Sequence, residues 1–204
     1  MKYHLPSGPD PDVELMIRLK NGEDLILNEL MTRWQQPLVA FIYRYIGHQA
    51  DALDLAQETF VRVYQSRSRY TARAKFASWL FTIAANLCRN YVRRWERGGG
   101  TAMESLDADS TNTSEWIATS DDSPDQAAIK SELVSSVKEA LRKLPHDLKT
   151  VVLLYEYEDR SYEEISSVLG CSIKAVEMKL YRARKMLREL LSRPDLRDQD
   201  SRVE

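Results

Sequence analysis

The first side chains that could bind a partner form an acidic cluster. Asp51, Asp54 and Glu58 are spaced by three and four residues, with Gln57 beside them, so their carboxylates share one side of a helix. Such a cluster suits a basic partner, a metal ion or plain solvation. Because the run 51–58 contains no His or Cys, a metal ion is the weaker interpretation, and a basic partner or a solvated face is left open.

The second cluster is basic and follows a few residues later. Its cations alternate with small residues and a tyrosine, without helical apolar periodicity: Arg67, Arg69, Arg73 and Lys75. A basic loop of this kind can follow a phosphate backbone and hold an unstacked base. Asn86 and Asn90, one helical turn apart, can add hydrogen bonds to bases or backbone. Trp79 lies on an apolar stripe and is interpreted as core.

The third cluster belongs to a helix-turn-helix pattern. Ser161 and Glu164 form a capping box, Gly170 marks a turn, and a longer amphipathic helix follows. The second helix of this motif lies in the major groove, where Glu177 can accept from cytosine and Met178 can touch a thymine methyl. The off-core side chains of that helix are Lys174, Glu177, Met178, Lys179, Tyr181, Arg182 and Lys185. An ordinary αα-hairpin with a solvated basic face is the alternative.

Enzymatic chemistry finds little support in the sequence. His4, His48 and His146 are isolated, and CxxC, HExxH, GxSxG and phosphate-binding glycine motifs are absent. Cys88 and Cys171 cannot build a disulfide framework, which suits a reducing cytosol. The sequence therefore predicts no catalytic centre, no metal site and no cofactor.

The elements that position these clusters are predicted to be helices. Apolar residues recur at helical spacing, and no alternating strand pattern persists. Asp10-Pro11 is typical of a helix start, and Pro37 of a kink or restart. The expected core includes Leu25, Leu30, Leu55, Phe60, Phe76, Leu80, Cys88, Leu133, Leu141, Ile173, Val176 and Leu180. These patterns predict an all-α fold.

Two small helical domains are predicted, over residues 10–97 and 124–193. Gly98–Gly100 breaks the first, and the acidic, Ser/Thr-rich stretch 98–123 is expected to be a flexible linker. Trp116-Ile117 is either a docking point or a stray apolar pair. The tail 194–204 is expected to be disordered.

Charge is distributed in blocks along the 204 residues. The totals, 29 Lys+Arg against 31 Asp+Glu, give −2 and by themselves argue against nucleic-acid binding. By segment, the net charge is −4 over 1–61, +8 over 62–97, −7 over 98–129, +3 over 130–193 and −2 over 194–204. The two basic blocks can attract polyanions. A signal peptide and a run of 18 apolar residues are both absent, so no membrane insertion is expected.

Three segments, in this order, resemble bacterial RNA polymerase sigma factors of the sigma-70 family. The run 51–60, DALDLAQETF, is similar to their core-polymerase-binding helix. The run 76–86, FASWLFTIAAN, resembles the helix after their promoter-melting loop, and 161–184 resembles their C-terminal helix-turn-helix. Because the intervening domain of larger sigma factors is missing, the chain is similar to the extracytoplasmic-function (ECF) subgroup.

The resemblance implies a role for each cluster. Contacts to the polymerase clamp helices would come from Asp51, Asp54, Gln57 and Glu58. Capture of a flipped base and its surroundings at the −10 element would come from Arg67, Arg69, Arg73, Lys75, Asn86, Asn90, Arg93 and Arg94. Recognition of the −35 element would come from Lys174, Glu177, Met178, Lys179, Tyr181, Arg182 and Lys185. The implied setting is cytoplasmic, with core RNA polymerase, promoter DNA and an anti-sigma factor as partners and without a cofactor.

The chain also departs from the family pattern. Family members often have a small residue where Lys174 stands and a basic-then-Ser pair where Glu177-Met178 stands, so a different −35 preference is expected. The alternative function is a stand-alone helix-turn-helix regulator with an N-terminal partner or ligand module, and an enzyme acting on nucleic acid is a third. The acidic cluster next to a basic loop favours the sigma factor.

Overall fold

The computed structural model describes residues 10–72, 74–98 and 124–192, with side chains from residue 131 onward in the last range. All regular structure in these ranges is helical, which confirms the predicted all-α class. The helices are α1 Pro11–Lys20, α2 Ile26–Ile46, α3 Gln49–Gln65, α4 Phe76–Arg97, α5 Pro124–Arg142, α6 His146–Val152, α7 Tyr162–Leu169 and α8 Ile173–Leu191. Arg67–Arg69 forms a 3-10 turn, and α6 continues into a π-helical turn over Leu153–Tyr157.

Helix α1 begins as its sequence predicts, and α2 is continuous at Pro37, where the sequence predicted a kink or a restart. The Asp10 carboxylate accepts from the Asp12 amide at 3.1 Å, with Pro11 in the first turn. Helix α2 runs through Pro37 without a restart. Leu30 and Leu38, on either side of Pro37, are both fully buried, so tertiary packing holds the helix together against its local breaker.

Three residues expected in the core lie on the surface. Leu25 is 83% exposed because it precedes the first turn of α2, and Leu133 is 61% exposed because burial along α5 begins only at Ala140. Ile173 is 45% exposed because it opens α8, where the chain has just left the Gly170 turn. In each case the apolar stripe extends beyond the part of the helix that is buried.

An aromatic cluster between α2 and α4 forms the centre of the core. Trp34 meets Phe76 and Phe81 edge-on at 6.1 and 6.0 Å, and Phe41 meets Phe81 at 5.1 Å between ring centroids. Such pairs add about 0.5–1.5 kcal/mol beyond the burial of their area. Cys88 lies in this core as predicted, and burial raises the pKa of its thiol.

A buried carboxylate fixes α1 to α2. The Asp12 carboxylate accepts from Arg33 Nη1 at 3.0 Å and from Trp34 Nε1 at 2.9 Å, and its side chain is 10% exposed. The sequence alone gave no sign of this contact, because an acidic residue is common in the first turn of any helix. It sets where α1 lies against the aromatic cluster.

The helices before and after the linker pack into one continuous core. Helix α7 contacts α4, while α5 and the π-helical turn contact α2. The sequence predicted two domains joined by a linker and gave no sign of this packing between them. None of the described helices has the length and apolar character that crossing a membrane requires. The expectations for the linker 98–123, with Trp116-Ile117, and for the tail 194–204 fall almost wholly outside the described residues.

Candidate nucleic-acid and partner interfaces

The outer face of α3 carries the predicted acidic cluster. Ala56, Thr59 and Phe60 are buried on the inner face, which leaves Asp54 and Gln57 exposed on the other. Glu58 accepts from Arg62 Nε at 2.7 Å while both side chains stay nearly half exposed. Leu53 and Val61, 42% and 49% exposed, lie on the same helix away from the core. Because both residues lie off the core stripe of the helix, the sequence alone could have indicated that this face is partly apolar.

Asp51 is partly buried and, unlike Asp54, Gln57 and Glu58, is bonded to a neighbouring helix. Its carboxylate accepts from the Tyr91 hydroxyl at 2.5 Å and lies 2.7 Å from His48 Nδ1. Burial, aided by the Asp51 hydrogen bond, raises the pKa of Tyr91 to about 12, so the phenol stays a donor. Asp51 therefore ties α3 to α4, whereas Asp54, Gln57 and Glu58 remain available to a partner.

Three contacts of Tyr70 hold the basic loop between α3 and α4 in place. The Tyr70 hydroxyl donates to the Ala74 carbonyl at 2.9 Å, and its ring packs 5.2 Å from Trp79. From α1, Lys20 Nζ donates to the Tyr70 carbonyl at 3.0 Å. Burial raises the pKa of Tyr70 to about 12. Trp79 is half-buried against Tyr70 and Phe76, in agreement with its interpretation as core.

The cations of this loop have different surroundings. Arg69 is exposed, while Arg67 stacks 3.9 Å from the Tyr64 ring centroid and donates to the Tyr64 carbonyl at 2.9 Å. Lys75 lies 3.3 Å from Glu164 of α7. Arg73 lies outside the described residues. Arg69 is therefore accessible to a partner, whereas Lys75 is paired with Glu164 of the C-terminal helices.

The outer face of α4 forms a polar stripe. Asn86, Asn90, Arg93 and Arg94 are all exposed and lie four, seven and eight residues along one side of the helix. Eight residues of helix span about 12 Å. Trp95, 39% exposed, stands at the end of this stripe and was missed by the sequence analysis. Amides and guanidinium groups in this arrangement can bind phosphates and base edges.

The helix-turn-helix has the local geometry that its sequence predicts. Ser161 Oγ accepts from the Glu164 amide at 3.2 Å, and Glu164 Oε2 accepts from the Ser161 amide at 2.9 Å. Gly170 ends α7 with φ +62°, a left-handed conformation that glycine adopts without penalty. Ser172 Oγ then caps α8 by accepting from the Ala175 amide at 3.2 Å.

One face of helix α8 is buried in the core, and the opposite face is exposed to solvent. Val176, Leu180 and Ala183 are buried. Six of the seven predicted base- and phosphate-binding side chains are exposed: Lys174, Glu177, Met178, Tyr181, Arg182 and Lys185. The seventh, Lys179, is half-buried and donates to Asp147 Oδ2 at 2.6 Å. This hydrogen bond is the main cause of the lowered pKa of the Asp147 carboxyl.

No group of three or more His, Cys, Asp or Glu side chains is placed to hold a metal ion within the ranges that the structure describes.

Two family models match the chain. The model for Sigma-70 region 2 matches residues 30–98, which run from α2 to the end of α4. The model for Sigma-70, region 4 matches residues 135–187, which hold most of α5 to α8. The two matched ranges contain the clusters on α3, α4 and α8.

Curated relatives match over nearly their whole length. An RNA polymerase sigma-H factor of Pseudomonas aeruginosa is 29% identical over 190 residues, 93% of this chain and 97% of the relative. An ECF RNA polymerase sigma-E factor of Haemophilus influenzae is 31% identical over 177 residues, 86% of this chain and 93% of the relative.

Solved structures share the fold. CnrH in complex with the cytosolic domain of CnrY aligns with a TM-score of 0.66 at 25% identity, over 89% of this chain and 97% of CnrH. The sigma factor RpoE of Bartonella quintana, solved with the anti-sigma factor NepR, aligns with a TM-score of 0.61 at 23% identity, over 82% of this chain and 97% of RpoE. The second likeness concerns the fold alone.

Proposed function

This chain belongs to the ECF group of RNA polymerase sigma factors, and from that premise we propose how its helices divide the work of starting transcription. As a sigma factor it directs core RNA polymerase to promoters. Its own contribution is binding and recognition, while the polymerase supplies the catalytic centre. The observation that carries the proposal is the separation of three exposed surfaces, acidic on α3 and polar or basic on α4 and α8.

Core RNA polymerase binds the outer face of α3. Asp54, Gln57 and Glu58 meet basic groups on the polymerase clamp, and Leu53 and Val61 add apolar area beside them. Asp51 contributes indirectly by holding α3 against α4 through Tyr91. This arrangement couples the polymerase-binding helix to the helix that contacts the −10 element.

The loop before α4 and the outer face of α4 bind the −10 element. Arg69 and Lys75, with Arg67 and Arg73 in the same loop, surround a base that leaves the stack, and unstacking costs a few kcal/mol per base. Phosphate contacts from α4 offset this cost, through side chains that share one face: Asn86, Asn90, Arg93 and Arg94. The Tyr70–Ala74 hydrogen bond keeps the loop in shape before DNA arrives.

Helix α8 binds the −35 element in the major groove. Lys174, Arg182 and Lys185 contact phosphates or guanine, and Tyr181 lies one turn beyond Glu177 on the exposed side. Glu177 accepts from cytosine N4 and repels phosphate, while Met178 touches a thymine methyl. Lys179 joins the phosphate contacts when it leaves Asp147.

The proposed contacts to the polymerase and to the −10 element lie in the domain predicted over 10–97, and those to the −35 element lie in the domain predicted over 124–193.

We also propose that the chain works in the cytoplasm and is restrained by an anti-sigma factor, as the Bartonella RpoE that shares its fold was solved with one. Neither a cofactor nor a metal ion is needed for these roles.

Charge reversal on α3 tests the proposal. In the full chain, Asp54→Lys with Glu58→Lys should weaken core polymerase binding at least about tenfold, because attraction to a basic partner becomes repulsion. Glu14→Lys, an exposed reversal on α1, is the control and should bind normally. Binding is measured by fluorescence anisotropy of labelled chain titrated with core enzyme. Equal binding by both variants would contradict the role of α3.

A further inference from the structure

We propose that Arg184 of α8 is a further DNA-contacting residue, which binds a phosphate of the −35 element at the edge of the major groove. Tyr155 and Glu156 of the π-helical turn position its guanidinium for this contact. The inference rests on the function proposed above for α8. Arg184 is not among the residues that the sequence predicted for this surface.

Arg184 lies in line with exposed residues that the sequence did predict for DNA binding. Glu177, Tyr181 and Arg184 are spaced by four and three residues, so they form one row along α8. Glu177 and Tyr181 are exposed, and the Arg184 side chain is 50% exposed. Arg184 is therefore accessible from the same side of α8 as Glu177.

The position of Arg184 along the helix favours phosphate over bases. Seven residues of α-helix span about 10.5 Å, so Arg184 lies two turns beyond Glu177. In a helix-turn-helix, the N-terminal part of the second helix contacts base edges inside a major groove about 12 Å wide. A residue two turns further along the axis lies closer to the backbone that borders the groove. A guanidinium at that place can bind a phosphate through two parallel hydrogen bonds.

Contacts from the π-helical turn hold the Arg184 guanidinium at this edge. Its Nε and Nη2 donate to Oε1 of Glu156 at 3.1 and 2.6 Å. The guanidinium carbon lies 5.3 Å from the Tyr155 ring centroid, within the range of cation–π attraction. The Tyr155 ring in turn packs 5.3 Å from the ring of Tyr162, at the start of α7. Because the side chain is ordered before DNA arrives, less entropy is lost when it binds a phosphate.

These contacts leave Arg184 able to bind an anion. A guanidinium carries five N–H donors, and the Glu156 oxygen accepts from two of its nitrogens. The Glu156 side chain is 42% exposed, so the ion pair lies in water and contributes little to the stability of the fold. A phosphate can therefore join or replace Glu156. Lys179, by comparison, is half-buried and must leave Asp147 before it reaches DNA.

Glu156 has two opposing effects on this contact. Its oxygen orients the guanidinium, while its negative charge offsets the charge of Arg184 and repels phosphate. A glutamine at position 156 would keep an oxygen acceptor and lose the negative charge. Neutralising Glu156 in this way should therefore raise the affinity for DNA, provided that Arg184 is present.

The test uses holoenzyme assembled from core RNA polymerase and the full chain. Arg184→Ala removes the guanidinium, whereas Arg184→Lys keeps the charge without the planar fork. The matched control is Arg142→Ala on α5, because Arg142 is also exposed, at 68%, and also paired with a glutamate, Glu139, at 3.3 Å. The probe is the promoter fragment from which wild-type holoenzyme starts most transcripts. Binding is measured by fluorescence anisotropy at several salt concentrations.

The readout is the slope of log affinity against log salt concentration, which is about −0.9 per phosphate contact. We expect Arg184→Ala to bind about fivefold more weakly than wild type and to lower the magnitude of the slope by about one. Arg184→Lys should recover most of the slope, and Arg142→Ala should match wild type. A purely structural role of Arg184 would lower stability without changing the slope. A wild-type slope for Arg184→Ala would therefore overturn the proposal.

Glu156→Gln tests the positioning role in the same assay. It should bind the fragment about two- to threefold more tightly than wild type, because the competing charge is gone. Combined with Arg184→Ala, it should bind no more tightly than Arg184→Ala alone. An equal gain in both backgrounds would overturn the role of Glu156, because its effect on DNA would then not pass through Arg184.

Transcription by wild-type holoenzyme separates this inference from the proposed function. If the wild type initiates transcription and Arg184→Ala keeps its salt slope, the inference about Arg184 is wrong and the proposed function stands. If core enzyme starts no more transcripts with the wild-type chain than without it, the proposed function has failed, and the inference fails with it.

Discussion

Replacement of Asp12 tests how α1 supports the −10 loop. Its carboxylate accepts from Arg33 and Trp34 in a nearly buried position. Glu29 offers a matched control, since it binds the same arginine through Nη2 at 2.7 Å but is 46% exposed. The two substitutions, Asp12→Ala and Glu29→Ala, remove one carboxylate each from Arg33.

The expected magnitudes differ by several fold. Asp12→Ala removes a hydrogen bond to a charged group, worth about 1.5–3 kcal/mol, and leaves the Trp34 N–H without its partner. Because Arg33 stays 42% exposed, water keeps its charge solvated. We expect a loss of about 2–4 kcal/mol in the free energy of unfolding for Asp12→Ala, and about 0.5 kcal/mol for the exposed i,i+4 pair.

Urea denaturation followed by tryptophan fluorescence and circular dichroism measures both losses. Asp12→Ala should also lower −10 melting by the polymerase complex, because Lys20 of the loosened α1 no longer holds the Tyr70 carbonyl. Equal shifts in the two urea midpoints would refute the assignment of Asp12 as a buried anchor. A destabilised variant with normal melting would refute only the link to the loop.

Two further predictions concern specificity and pH. Glu177→Arg should change the −35 sequences selected from a random pool and leave core binding intact. The substitution replaces a carboxylate, which accepts from cytosine and repels phosphate, with a guanidinium, which donates to guanine. An unchanged selection would contradict this role. Burial raises the pKa of Glu158 to about 7 from 4.5, against the opposing effect of Arg44. The folded chain therefore keeps a proton that the unfolded chain loses, and the free energy of unfolding should fall as pH rises from about 5 through 7. His146, whose pKa is lowered by burial, makes the free energy of unfolding change with pH in the opposite direction. The difference in thermal stability between wild type and Glu158→Gln, measured across this pH range, therefore isolates the contribution of Glu158. Parallel pH profiles of the two proteins would refute the assignment.

Local features of the fold were predictable because they depend on near neighbours in sequence. The Ser161–Glu164 capping box, the Gly170 turn and the exposed stripe of α8 all follow from spacing within a few residues. The same holds for the inner face of α3 and for buried Cys88. Periodicity fixes which side of a helix is apolar, and so it also located the candidate interfaces.

Long-range contacts were not predictable in this way. Whether Asp51 meets a partner or Tyr91, and whether Lys179 meets phosphate or Asp147, depends on residues 40 and 32 positions away. An acid on a helix surface has the same sequence pattern in both cases. The exposure of Leu25 and Ile173 has a related cause, because an apolar stripe does not reveal where its covering neighbour ends.

The most direct test of the central claim is run-off transcription with purified full chain and core RNA polymerase on a library of promoter fragments. Sigma-factor function through α3, α4 and α8 predicts discrete start sites that need both chain and core, and that share elements at −10 and −35. Start sites should disappear with the α3 reversal Asp54→Lys with Glu58→Lys and persist with Glu14→Lys. If the chain binds DNA but core enzyme starts no more transcripts with it than without it, the account is contradicted.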